Sequence, residues 1–407
     1  MRASDHRPPA VVLPLAVAAA AVFAVLLQSA PSAVPQPPAP STAAATVTVR
    51  NPIDLARTSE TVSLGAADLK AALGVDDVRT VHVADGPQEV LTQAIDLNDD
   101  GKFDQLIFQT DIGPGATKTF VLSVGARQIP KLEDFKAYGR FARERRDDFA
   151  WENDRLAHRM YGAALETWAQ EPLTSSTVDV WSKRVRRLII NEWYTVDDYH
   201  RDTGTGADFY SAGKSRGCGG NGIWSGDKLY PSANFRASRV LANGPIRVMF
   251  ELSYEPWDAA GVKVSEVKRI TLDAGQNLDH FESIYRVEGG GTIATHAAGI
   301  KKQPGSVVTT SKDTGVMRVW EPVQVKGNGN EGLAVIVDPA QVVEFTEADG
   351  NYLTVAKVPA GNMASYYAGF GWDRSGDFAG MADWDAYVAQ AARRLRAPLV
   401  VTMAAGK

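Results

Sequence analysis

Arg247-Val248-Met249-Phe250-Glu251-Leu252-Ser253-Tyr254 and Val262-Lys263-Val264-Ser265-Glu266-Val267-Lys268-Arg269-Ile270-Thr271-Leu272 are the runs whose reading decides the fold. Both are strand candidates, rich in β-branched and aromatic side chains. Leu333 to Val337 and Met363 to Phe370 add two more in the same part of the chain. Helix signals are scarce until Asp383 to Leu395, where Trp384, Tyr387, Val388, Ala391 and Leu395 recur at helical spacing and predict a short terminal amphipathic helix. The reading is therefore all-β: a large antiparallel two-sheet body over residues 147–407, closed by that C-terminal helix.

Working outward, the period of two in Thr46-Val47-Thr48-Val49 and Gln105-Leu106-Ile107-Phe108-Gln109 predicts strands joined by tight turns. Gly113-Pro114-Gly115 marks one such turn before Thr119 to Val124. Residues 46–130 thus read as a small β-sandwich-like module. Lys131, Glu133, Asp134, Arg143, Glu144, Arg145 and Arg146 give residues 131–146 the character of a solvated connector. At the other extreme, Arg2 and Arg7 precede an uncharged apolar run from Val11 to Leu27 that ends in small residues, the pattern of an export signal over residues 1–33 with Ala30 or Ala33 before the cut. Uncleaved, the same run approaches the length of a membrane anchor and would be the chain's one membrane contact. Pro/Ala-rich residues 34–45 read as a linker, and the expected location is periplasmic or secreted.

Composition narrows the function. With 44% hydrophobic and 22% charged residues the chain has the profile of a folded protein, and a net charge of -5 leaves no basic footprint for nucleic acid. Cys218 is the only cysteine, which rules out an intrachain disulfide and a cysteine-based zinc site.

Three stretches could carry chemistry. Asp96, Asn98, Asp100 and Asp104 place oxygens at positions one, three, five and nine of a loop with Gly101 at six, the pattern a structural calcium wants, yet Ile107 stands where a bidentate Glu would close it. The alternative is an Asx-rich hairpin turn. The second stretch runs from Arg146 to Gly162. Taken as a strand, it sets Arg155, Ala157, Arg159 and Tyr161 on one face and Leu156, His158 and Met160 on the other. Trp151 with these arginines would make the floor of a cleft for an anionic sugar, or the charges would close on themselves as a salt-bridge network. The third stretch, Asn191 to Trp224, gathers Tyr194, Tyr199, His200, Tyr210, Arg216 and Trp224 among many glycines. It reads as a long functional loop or as a lid without chemistry. Gly213-Lys214-Ser215 lacks the earlier glycine of a phosphate loop. Cys218 is either a nucleophile or, as free cysteines more often are, a small buried apolar group.

Asp147-Asp148-Phe149-Ala150-Trp151-Glu152-Asn153-Asp154-Arg155, Asp179-Val180-Trp181-Ser182-Lys183, Gly217-Cys218-Gly219-Gly220, Asn243-Gly244-Pro245-Ile246-Arg247 and Thr271-Leu272-Asp273-Ala274-Gly275 resemble a bacterial family still labelled as a domain of unknown function. Its members look like exported proteins encoded among genes for breaking down pectin-like and other uronate-rich polysaccharides. Arg269 to Gly275 is also similar to the strand pairs of galactose-mutarotase-like supersandwiches, a fold that hosts mutarotases, hydrolases, lyases and sugar binders alike. The resemblance implies a carbohydrate partner, an anionic oligo- or polysaccharide. As an enzyme, a lyase is favoured over a hydrolase: Arg155, Arg159 or Arg216 neutralises the uronate, His200 or His158 is the base, Tyr199 or Tyr210 the acid, and Trp151, Tyr194 and Trp224 line the sugar. The alternative is a non-catalytic carbohydrate-binding protein.

Overall fold

The computed structural model describes residues 45–169, 173–196 and 198–406, so the expected export signal and the linker up to residue 44 lie outside it, as does Asp197. The two runs that open the sequence reading are neighbouring strands, Arg247–Ala259 and Val262–Asp273, paired antiparallel from Arg247 opposite Asp273 to Ala259 opposite Val262. They belong to an eight-stranded sheet that also takes in Leu278–Val287, Met363–Trp372 and Asn330–Ile336. Along Arg247–Ala259, Val248, Phe250 and Leu252 are fully buried in a shared core, while Arg247, Met249 and Glu251 point to the other face. That inner core is completed by two five-stranded sheets. One contains Cys218–Ser225, Thr295–Lys301 and Asn351–Lys357; the other contains Asp148–Asn153, Ala157–Met160 and Asp179–Lys183. Phe149 of the second stacks on Phe250 with ring centroids 4.0 Å apart, so the layers interlock through aromatic side chains. The molecule is all-β as read, with sheets packed face to face and the helix Met381–Arg396 near the C-terminus.

The amino-terminal module holds a five-stranded and a three-stranded sheet around Val47, Leu64, Phe108 and Phe120. Its first strand, Ala45–Arg50, pairs with the last strand of the chain, Val400–Ala405. The large body thus gives up its final segment to the module, which ties the two ends of the described chain together. The module and the C-terminal helix lie on the outer face of the eight-stranded sheet, through Ile95, Ile107, Leu241 and Met249 on one side and Leu278, Ala334, Trp384 and Val388 on the other.

Two expectations are corrected by the packing. The connector 131–146 contains a true strand, Ala137–Ala142, whose Ala137 and Ala142 are fully buried; apart from Arg140 within the strand, its charges lie in the short segments that flank it. The later part of the stretch 191–224 is not a surface lid, since residues 206–210 and 215–224 are buried throughout. Glycine explains why a polar segment can go inside: a Cβ on Gly206 would sit on the Ser182 carbonyl and one on Gly217 on the Val178 carbonyl, so side-chain-free backbone is what lets these strands approach. Cys218 is sealed in the core, where burial pushes its thiol well above the usual range.

The interior also holds carboxyl groups that cost stability when ionised. Glu321 and Glu331 lie directly opposite each other on adjacent strands, and neither oxygen of Glu331 has a hydrogen-bond partner among the described residues. Burial pushes the Glu321 carboxyl up to about 7, against hydrogen bonds from Ser306 and Gln303. A carboxyl raised from 4.5 to about 7 contributes stability that is complete below 4.5 and lost as pH rises through about 7. Glu321→Gln is therefore expected to match the parent in thermal unfolding near pH 4.5 and to exceed it above neutrality; parallel curves across that range would refute the assignment.

Candidate functional site

The strand reading of Arg155 to Tyr161 holds for Ala157–Met160, and the two faces divide as expected. Leu156, His158 and Met160 turn into the core, while Ala157 and Arg159 face the segment 189–210 and Tyr161 packs with Leu165 and Leu173. That segment packs Ile189, Ile190, Trp193, Tyr194 and Tyr199 over Ala150, Ala157 and Trp181. The two polar stretches singled out in the sequence therefore meet, and Arg159 is what they meet on.

Arg159 Nε donates to Asp179 at 2.8 Å, its Nη2 lies 3.2 Å from Asp208, its Nη1 3.5 Å from Asp148, and Nη1 also donates to the Tyr199 hydroxyl at 3.0 Å. Tyr161 donates its hydroxyl to the same Asp179 at 2.9 Å. Three buried carboxylates share this guanidinium, and the imbalance falls on Asp148. Burial pushes its carboxyl up to about 7, further raised by Asp179 and held back by Arg159 and Arg145. Its Oδ1 has no hydrogen-bond partner among the described residues.

Asp148 and Arg159 open onto a cavity of about 190 Å³, also lined by Arg145, Arg146, Tyr161 and Trp168. Arg145 donates to the Tyr199 hydroxyl, yet its Nε–H is buried and finds no acceptor among the described residues. Arg146 lies over the Trp168 ring, 5.0 Å from its centroid. The cavity thus offers a carboxyl that changes charge near neutrality, a spare guanidinium donor and an aromatic wall. Burial holds the Tyr161 hydroxyl well above its ordinary range, so it stays protonated.

Several sequence candidates sit elsewhere. His158 is sealed in the core with Trp151: its Nδ1 donates to the Asp179 carbonyl at 2.9 Å, its Nε2 faces Asp279 at 3.0 Å, and Trp151 Nε1 donates to that same Asp279 at 2.7 Å. Tyr210 is buried with its hydroxyl donating to the Gly217 carbonyl at 3.1 Å. Arg216 is buried against Ser175, Ser176 and the Lys214 carbonyl. Arg155 pairs with Asp377, and Trp224 packs with Leu229 and Leu353 on a different sheet. His200 is at the rim, half-exposed, its Nδ1 3.0 Å from the Asp208 carbonyl and its ring against Tyr199. Tyr194 walls the network through its 3.5 Å contact with Asp148. Of the expected bases and acids, His158, Tyr199 and Tyr210 are closed in and only His200 stays at the rim among the described residues, because the alternation tells which face a residue takes but not which face is later covered.

In the loop 96–104, Asp96 accepts the backbone N–H groups of Asp99 and Gly101, Asn98 that of Asp100, Asp100 that of Lys102, and Asp104 that of Leu97. These are the bonds of an Asx-rich turn, and among the described residues no group of three or more His, Cys, Asp or Glu side chains is placed to hold a metal.

Fold and site together define an all-β, multi-sheet protein with a small pocket of arginines, an aromatic ring and a poised carboxyl group. The chain belongs to the family described as Domain of unknown function (DUF4861), whose model matches residues 49–401. It is 32% identical over 375 residues to "Uncharacterized protein P7" of Formosa agariphila, covering 88% of this chain and 93% of that protein. Among solved structures, an alpha-mannosidase from Enterococcus faecalis V583 matches with a TM-score of 0.49 at 10% identity, over 90% of this chain and 47% of that one. A protein in the glycosyl hydrolase family 38 from Enterococcus faecalis matches with a TM-score of 0.48 at 9% identity, over 89% of this chain and 48% of that one. The chain spans about half the length of these two solved proteins, and likeness of this degree carries nothing from them to this chain.

Proposed function

We propose that this protein is an exported carbohydrate-active enzyme that cleaves uronic-acid-containing oligo- or polysaccharide by β-elimination at the pocket around Asp148. The observation that carries this reading is that one cavity is lined both by Asp148, with its carboxyl near 7, and by Arg145, whose Nε–H has no acceptor among the described residues. Arg145 and Arg146 neutralise the uronate carboxylate, which acidifies the adjacent C5 proton. Ionised Asp148 takes that proton, the C5 electron pair forms the C4–C5 double bond, the C4–O bond breaks, and the Tyr161 hydroxyl protonates the departing oxygen. Trp168 offers a ring for the sugar face. A cavity of about 190 Å³ is smaller than the ~300 Å³ at which drug-sized sites begin, which favours one terminal residue over an internal stretch.

Incubation with oligogalacturonate and other uronans tests the reading. New ultraviolet absorbance of an unsaturated uronate, released as single units, is the expected result. New reducing ends without absorbance would make the enzyme a hydrolase, and saturable binding with neither would make it a binding protein. Export is tested by intact mass of the protein recovered outside the cytoplasm, where loss of the first 30 or 33 residues is expected.

A further inference from the structure

On the outer face of the eight-stranded sheet, between the amino-terminal module and the C-terminal helix, lies a groove of about 600 Å³. Its floor is a row of side chains in register across four strands: Met249, Thr271, His280 and Tyr367. His280 and Tyr367 stack with centroids 4.5 Å apart and planes 16° from parallel, and His280 is fixed by Ser365 at 2.8 Å. The floor therefore presents a flat, half-buried aromatic platform with polar edges.

The charges around the platform are already spent on one another. Arg247 grips Asp273 with two bonds of 2.6 and 2.8 Å, Arg394 and Arg57 both hold Glu60, at 2.9 and 3.3 Å, and Arg269 binds Glu251 at 2.7 Å. An anionic ligand would have to break one of these pairs. It would also meet Glu282, the one carboxylate of the groove without an ion pair among the described residues. Paired guanidinium and carboxylate groups still keep free N–H donors and oxygen lone pairs, fixed in place and matched to hydroxyl groups. Burial lowers the His280 pKa, which keeps the ring uncharged at neutrality.

We propose that this groove is a second carbohydrate site, specific for an uncharged stretch of pyranose rings that stack on His280 and Tyr367. It is large enough for more than one ring, and its selectivity is opposite to that of the arginine pocket. The strand Asp148–Asn153 runs between the two: Asp148 lines the pocket, while Asn153 donates to the carbonyls of Asp273 and Gln276 at the groove, both at 2.7 Å. Six residues of strand separate them by roughly 17 Å, about the span of a few sugar units.

Titration calorimetry with neutral xylo-, gluco-, manno- and galacto-oligosaccharides of about three to five units, against the full chain, tests the site. Saturable binding of at least one series is expected. Ser63→Trp, which fills the groove from an exposed position of the module, should weaken it at least about tenfold, and His280→Ala should do the same without touching the module. Asp148→Asn should leave it unchanged, which separates this site from the pocket. No heat with any neutral series, equal affinity in Ser63→Trp, or displacement of the neutral ligand by oligogalacturonate would overturn the proposal.

Discussion

Glu152→Ala is expected to lower the free energy of unfolding by roughly 3–5 kcal/mol, the cost of stripping one partner from a buried ion pair. Glu152 and Lys183 are both fully buried and bond at 2.6 Å across the intervening strand Ala157–Met160. The carboxylate also accepts the backbone N–H groups of Ile189, at 2.7 Å, and Ile190, at 2.8 Å, where the covering segment turns into its short helix. Its removal strands those amides and leaves Lys183 with only the Asn153 carbonyl as hydrogen-bond partner among the described residues. Burial already lowers the Lys183 pKa against the pull of Glu152. A lysine lowered from 10.5 contributes stability that is complete above 10.5 and lost as pH falls through its folded value, so losing Glu152 deepens that loss at neutrality and spares alkaline pH. Denaturant unfolding at about pH 7 and about pH 10 checks this: the deficit should shrink at the higher pH, and Glu152→Met with Lys183→Met should recover much of it. An equal deficit at both pH values would assign it to packing alone.

The all-β class was legible because alternation is local: Val248, Phe250 and Leu252 against Arg247, Met249 and Glu251 can be read from eight letters. The same rule placed Arg159 and Tyr161 on the face opposite His158. What no local rule carries is the fate of each face. Tyr210 and Arg216 read as polar loop residues, and only the glycines at 206 and 217 hinted that their backbone lies tight against other strands. Asp148 and Asp179 stand in the quoted motifs and Asp208 in the third stretch; Asp148 and Glu152 on one strand, Arg159 on the adjacent strand and Lys183 on the next form a set of opposite charges on one face. That pairing was the available signal for the pocket. Trp168 and Arg145 carried none, since they reach the cavity from short 3₁₀ turns with no sequence period.

Asp148→Asn is expected to reduce turnover of a uronate substrate by about 10²–10⁴-fold, the span assigned to a positioned proton-transfer group. The amide keeps the size of the side chain, and Arg159 remains held by Asp179 and Asp208, so the pocket keeps its form. Stability distinguishes loss of chemistry from loss of fold. With its carboxyl raised from 3.8 to about 7, chiefly by burial, Asp148 contributes stability that is complete below 3.8 and lost as pH rises through about 7. The variant should therefore unfold at a higher temperature than the parent above neutrality while being far less active. The pH profile identifies the direction of proton transfer. If Asp148 is the base of an elimination, parental activity climbs as pH rises through about 7 and the residual activity of the variant loses that limb. Activity that instead falls through the same pH would make Asp148 the acid of a hydrolysis, and an unchanged rate in a well-folded variant would remove the carboxyl from the reaction.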